Sequence, residues 1–295
     1  FYNPYYSMPN ATGPNGQLPQ GFYNPYYSMP NTYNTRPSHN CFPLQPYVNI
    51  NAFNNRITPI YAQPQQYSQR IDHPITEISL LEACMKGQLE IAKVLLVSGA
   101  DVNEARVGDN GCTPLIVSIR KHHWSLLLLL IGYHANVNQA DDNGETPLSE
   151  ACMAGNLQSV QLLIAHQANL NQGNNKGETP LFKVCMKDDF TLVKLLIANR
   201  AVVNQGNHAN ETPLYIASHS GHLEIVKVLI ASGALLDKAD CHGWTPLYIA
   251  DYNGHLEIVK VLIASGALLD KADDYGYTPL YRASSEGHLE IVKVL

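Results

Sequence analysis

The sequence predicts an all-α repeat solenoid, and three observations carry that prediction. A triplet returns every 33 residues, each copy opens with a helix-start pair, and each holds two short apolar stripes that it cannot bury alone. Thr-Pro-Leu stands at Thr113, Thr146, Thr179, Thr212, Thr245 and Thr278. Ile78 takes the same place in an earlier, degenerate copy marked by Ala83, Gly87, Leu89 and Ala100, with two extra residues in the loop that follows. Residues 222–240 and 255–273 both read HLEIVKVLIASGALLDKAD, the mark of a duplicated unit.

Within one copy the elements follow in order. Thr146 is a good N-cap, its hydroxyl able to accept from an orphan backbone N–H, and Pro147 suits the first helical position, where no donor is needed. Leu148 and Ala151 form the apolar stripe of this first helix, and Gly155 sits where it must stop in a left-handed conformation. Leu157, Val160, Leu163 and Ile164 form the stripe of a second helix. The run Leu126 to Leu130 reads as a second helix buried by both neighbouring repeats. Helices of two to three turns are unstable alone, so the pairs must stack in line. The repeats fall at about 74–108, 109–141, 142–174, 175–207, 208–240 and 241–273, with a shortened one at 274–295.

Residues 1–72 are different in kind. They are rich in Tyr, Asn, Pro and Gln, show no helical or strand period, and form a low-complexity segment that should not fold alone. FYNPYYSMPN occurs at 1–10 and again at 22–31. Phe1, Asn3, Pro4 and Tyr6, and again Phe22, Asn24, Pro25 and Tyr27, resemble the F-x-N-P-x-Y motif that phosphotyrosine-binding domains and endocytic adaptors accept. That resemblance implies an adaptor partner, and a Tyr/Asn/Pro-rich tract also contains such strings incidentally. The chain opens at Phe1 without methionine or a signal-peptide pattern, which predicts a true N-terminus upstream.

Charge and cysteine usage narrow the function classes. Up to residue 72 the charged residues are Arg36, Arg56, Arg70 and Asp72, so the acidic excess of a chain at net −6 falls on the remainder. No Lys/Arg block offers a face to phosphate, which argues against nucleic acid. The longest apolar run, Leu126 to Ile131, is far below the ~20 residues of a membrane span. Cys84, Cys152 and Cys185 share one repeat position. Helix spacing of ~8–10 Å exceeds the ~7 Å Cα limit of a disulfide, so they should be free thiols, as in a reducing cytoplasm or nucleus. No zinc spacing, phosphate loop or catalytic motif emerges, so no metal, cofactor or enzymatic activity is expected. His222, His255 and His288 recur with the period and read as scaffold, and Asp251 reads as a surface residue.

The period, with NGETPLSEACMAGN and HGWTPLYIADYNGHLEIVKVLIASGALLD, closely resembles the ankyrin repeat over about three quarters of the chain. The resemblance implies stacked helix pairs with β-hairpin fingers and a concave binding face. It further implies that a partner protein touches the finger tips and the exposed ends of the first helices. Those positions here include Glu145, Met153, Glu178, Met186, Glu211, His219, His242, Trp244, Tyr252, Tyr275 and Tyr277. The tips are acidic in the middle, which suits a partner with a basic surface, and the aromatic residues gather in the last two repeats, where an anchor is expected. Departures also show. Ile116, Ser149, Phe182, Tyr215, Tyr248 and Tyr281 stand where the family often has histidine, so its internal hydrogen bond should be altered or absent. His122 and Asp188 replace the helix-stop glycine and Asn210 the finger glycine, residues that tolerate positive φ. The expected function is a protein-interaction scaffold. The same sequence also fits the targeting arm of a larger enzyme, channel or host-directed microbial effector. Because the chain stops inside a second helix, further repeats or a cap are expected beyond Leu295.

Overall fold

The computed structural model describes residues 78–106, 108 and 110–295, so both F-x-N-P-x-Y segments lie outside the described residues. Among the described residues fourteen helices follow one another in seven hairpins. They are α1 (Leu80–Met85) with α2 (Leu89–Val97), α3 (Pro114–Arg120) with α4 (Trp124–Gly132), and α5 (Pro147–Met153) with α6 (Leu157–Ala165). Then come α7 (Pro180–Met186) with α8 (Phe190–Ala198), α9 (Pro213–Ser220) with α10 (Leu223–Ala231), α11 (Pro246–Tyr252) with α12 (Leu256–Ala264), and α13 (Pro279–Glu286) with α14 (Leu289–Val292). None is long and apolar enough to cross a membrane.

Each first helix begins as the Thr-Pro pair dictates. The hydroxyl of every repeat threonine accepts from the backbone N–H three residues on, from 3.1 Å at Ser149 to 3.3 Å at Tyr281, and Ser79 does the same in α1 at 3.2 Å. Most first helices end on a left-handed residue. His122, Asp188 and Asn210 do hold positive φ, 58°, 61° and 61°, where the glycine is missing. At Gly254 the need for glycine is double: φ is +76°, and a Cβ there would stand 2.8 Å from Cε1 of His288 in the next hairpin.

The hairpins pack in single file. Each first helix touches the next, α1 to α3 and onward to α13, while second helices meet as α2 on α4, α8 on α10, α10 on α12 and α12 on α14. Small residues let the first helices approach: Ala83, Ser118, Ala151, Ala217, Ala250 and Ala283 hold one register position and all are buried. Stacking rather than propensity therefore stabilises these short helices. In α4, Leu126, Leu127, Leu130 and Ile131 are buried while Leu128 and Leu129 remain half-exposed. The expected stripe of α6 needs one correction. Leu157 at its first turn is exposed, and Leu162 is buried in its place together with Val160 and Leu163.

At the expected β-hairpin fingers the described residues contain no strand. Five fingers are turns, each built on one side chain. Asp141 Oδ1 accepts from the N–H groups of Asn143 and Glu145, both at 2.9 Å, and two backbone bonds, Asp141 N–H to Glu145 O and Gly144 N–H to Asp141 O, close the loop. Asn174, Asn207, Asp240 and Asp273 repeat the arrangement. A carboxylate or amide oxygen thus replaces the ladder that would define a strand pair. Successive fingers join by single backbone bonds, such as Asn175 N–H to Asn143 O at 2.9 Å and Asp274 N–H to His242 O at 3.1 Å. The histidines are structural, as their period implies: the Nε2 atoms of His222, His255 and His288 lie 3.2, 3.0 and 3.1 Å from the carbonyls of Met186, His219 and Tyr252 in the preceding hairpin.

Candidate partner interface

The finger turns and first-helix ends form one edge of the stack, and the five turn-forming residues fix its chemistry. Where the anchor is aspartate, a donor from the previous hairpin holds its second oxygen. Arg120 Nη2 meets Asp141 Oδ2 at 2.8 Å, Tyr215 Oη meets Asp240 Oδ2 at 3.3 Å, and Tyr248 Oη donates to Asp273 Oδ2 at 2.6 Å. Where the previous hairpin offers Ser149 or Phe182, the anchor is the amide of Asn174 or Asn207, whose Nδ2 donates to Glu178 or Glu211. The hydrogen bond expected to be altered or absent has therefore become, at Tyr215 and Tyr248, a bond between repeats. Burial pushes the Asp273 carboxyl up, but the donors Tyr248, Tyr277 and Tyr275 outweigh it and hold it below the usual carboxylate range.

Glu145, expected at an acidic tip, is turned inward. It pairs with Lys183, accepts from Asn174 Nδ2 at 2.8 Å and from Ser149 Oγ at 2.7 Å, and is nearly buried with Lys183. Burial would raise its pKa, yet these three donors bring it below the ordinary value. Arg120 similarly bridges Asp141 and Glu150, the latter at 2.5 Å, and its Nη1 lies 2.8 Å from Cys112 Sγ. A shallow groove of about 200 Å³ beside it is lined by Leu81, Met85, Cys112, Val117, Arg120 and Lys121. Glu178 and Glu211 also accept from amides, but differ from Glu145 in having no ion pair among the described residues. Met153 and His219 are half-buried and Met186 is exposed along the same edge. Burial keeps the His219 pKa below its ordinary value despite nearby Glu211.

The expected aromatic residues are brought together. Trp244 stacks on Tyr248 at 5.4 Å between ring centroids, and stands 5.9 Å from both Tyr252 and His242. Tyr277 stacks on Tyr281 at 4.6 Å. Arg282 joins the two sets, its guanidinium 5.9, 5.7 and 5.2 Å from the rings of Tyr248, Tyr252 and Tyr277, while its Nε donates to Tyr248 Oη at 2.7 Å. Tyr275 is 68 % exposed and Tyr277 38 %, whereas Trp244 is half-buried. Tyr248, Tyr281 and Arg282 were not expected in the cluster. The signal for them was the tyrosine recurring at 215, 248 and 281, followed 25 residues on by Asp240 and Asp273.

Cys84, Cys112, Cys152 and Cys185 are buried free thiols and Cys241 is an exposed one. Burial pushes the thiols of Cys84 and Cys152 up to about 11 and about 12, and that of Cys185 higher still, as packing residues require. Asp240, Cys241 and His242 bring ligand-type atoms within 4.8 Å of one another. The Asp240 oxygens there already accept from His242, Trp244 and Tyr215, so the group is a weak metal site. Compared with known proteins, the chain matches a family model described as Ankyrin repeats (3 copies) over residues 80–174, 166–240 and 233–295. No curated protein matches it.

Proposed function

Because the chain belongs to the ankyrin-repeat family, whose repeats are in general protein-interaction modules, we propose that it is an interaction scaffold seating its partner on the finger tips and first-helix ends of its last hairpins. The observation that carries this reading is the joined ring cluster of Trp244, Tyr252, Tyr277 and Arg282, with Tyr275 exposed at its rim. Rigid amphipathic rings held in place by stacking lose little entropy on binding and dominate interface hot spots, where one truncation costs ~2–4 kcal/mol. Glu178 and Glu211, which have no ion pair among the described residues, supply negative potential on the preceding fingers, so the partner presents a basic segment that speeds association. Four buried thiols suit a reducing compartment such as cytoplasm or nucleus.

The test is affinity capture with the whole chain and with the Tyr275→Ala/Tyr277→Ala variant, followed by direct binding of each captured protein. The variant should lose capture while its far-UV circular dichroism stays unchanged, because both side chains are exposed. Equal capture by variant and parent refutes the assignment.

A further inference from the structure

Asp251 was expected at the surface and lies instead at 0 % exposure. It sits on α11, six residues after Thr245, in the register position that Cys84, Ile119, Cys152, Cys185 and Ser218 hold in earlier hairpins. Those residues are neutral because the position faces the next first helix. Among the described residues neither carboxylate oxygen of Asp251 makes a well-formed hydrogen bond. Burial raises its pKa and outweighs the backbone N–H of Ala283 on facing α13, which lowers it.

We propose that Asp251 makes the seating of the last hairpin sensitive to pH, α13 docking on a protonated carboxyl and loosening once that carboxyl ionises. An uncompensated carboxylate between two packed helices costs more than the same group in water. The charged or titratable groups of the surrounding helices do not remedy this. On α9 they are Tyr215, which bonds to Asp240, and His219, held low by burial. On α12, Lys260 pairs with Glu257 at the surface. On α13, Arg282 lies among tyrosine rings and on Tyr248 Oη, Tyr281 stacks on Tyr277, and Glu286 is exposed. His288, which opens α14, touches the Tyr252 carbonyl across the same junction.

The sign follows from burial. Asp251 is raised from its ordinary value of 3.8 to about 7 in the docked hairpin, and exposure to water on undocking would return it toward the ordinary value. Docking is therefore strongest below about pH 4, weakens by up to about tenfold per unit as pH rises to about 7, and is level above that. Tyr275 and Tyr277 precede the same helix, so partner capture would follow this equilibrium; that consequence alone rests on the function proposed above.

Hydrogen exchange of the whole chain, corrected for intrinsic rates and using α5 and α6 as the internal reference, tests the device without any partner. Between about pH 5 and about pH 7, α13 and α14 should lose up to about a hundredfold in relative protection, while Asp251→Asn and Asp251→Ser hold it constant. If Asp251→Ser frees α13 at every pH, the near-isosteric Asp251→Asn decides. A profile in Asp251→Asn as steep as the parent's would assign the effect to His288 or another group and overturn the proposal, as would a parent profile without slope.

Discussion

Removing one oxygen atom, in Tyr248→Phe, tests how the fingers are held. The Tyr248 hydroxyl donates to Asp273 Oδ2 at 2.6 Å and accepts from Arg282 Nε at 2.7 Å, and the ring itself is fully buried. Phenylalanine keeps the ring and its stack on Trp244, so the loss is confined to two hydrogen bonds to charged groups. Such bonds contribute about 1.5–3 kcal/mol each. Arg282 stays half-exposed and finds water, whereas Asp273 is almost sealed off, so the net loss should be about 2–3 kcal/mol. Because Asp273 Oδ1 shapes the finger through Tyr275 and Tyr277, the loss should be local. Amides of Asp273–Thr278 should exchange about 30- to 150-fold faster, while those of α5 and α6 stay unchanged. Unchanged exchange in that finger would show that the hydroxyl does not support it.

Three further outcomes are expected. Lys183→Met strands Glu145 in a nearly buried site and should cost about 3 kcal/mol in urea unfolding, with most of it recovered when Glu145→Gln is added; a strictly additive double variant would refute the pairing. Gly254→Ala forces a Cβ into His288 at positive φ and should destabilise by about 1–3 kcal/mol, whereas Gly266→Ala, with open space around it, should cost only the backbone strain, about 1–2 kcal/mol. Peptide mapping after brief alkylation at neutral pH should find Cys241 modified well before Cys84, Cys152 and Cys185, whose thiols burial keeps protonated; simultaneous labelling would contradict the buried register.

What could be read from the sequence was whatever repeats locally. Thr-Pro placed every first helix from α3 on, and the substitutes His122, Asp188 and Asn210 adopt the backbone their positions demand. What escaped involves partners a full repeat away. Glu145 reads as an exposed tip until Lys183, 38 residues on, folds over it. Asp251 reads as surface because carboxylates usually are, yet its register with Cys152 and Cys185 places it between helices. The missing strands have a similar cause: the anchor side chains at 141, 174, 207, 240 and 273 take over bonds that a hairpin ladder would make, and pattern alone does not reveal the substitution. Arg282 joined the aromatic cluster unannounced because its four tyrosine and aspartate contacts come from two different hairpins.

The most direct measurement is a hydrogen-exchange footprint of the whole chain with and without its captured, purified partner. The account predicts added protection at His242–Asn253 and Asp274–Arg282, weaker protection near Glu178 and Glu211, and none along the outward faces of α6, α8, α10 and α12. A footprint on those second helices, with the aromatic tips still exchanging freely, would contradict it.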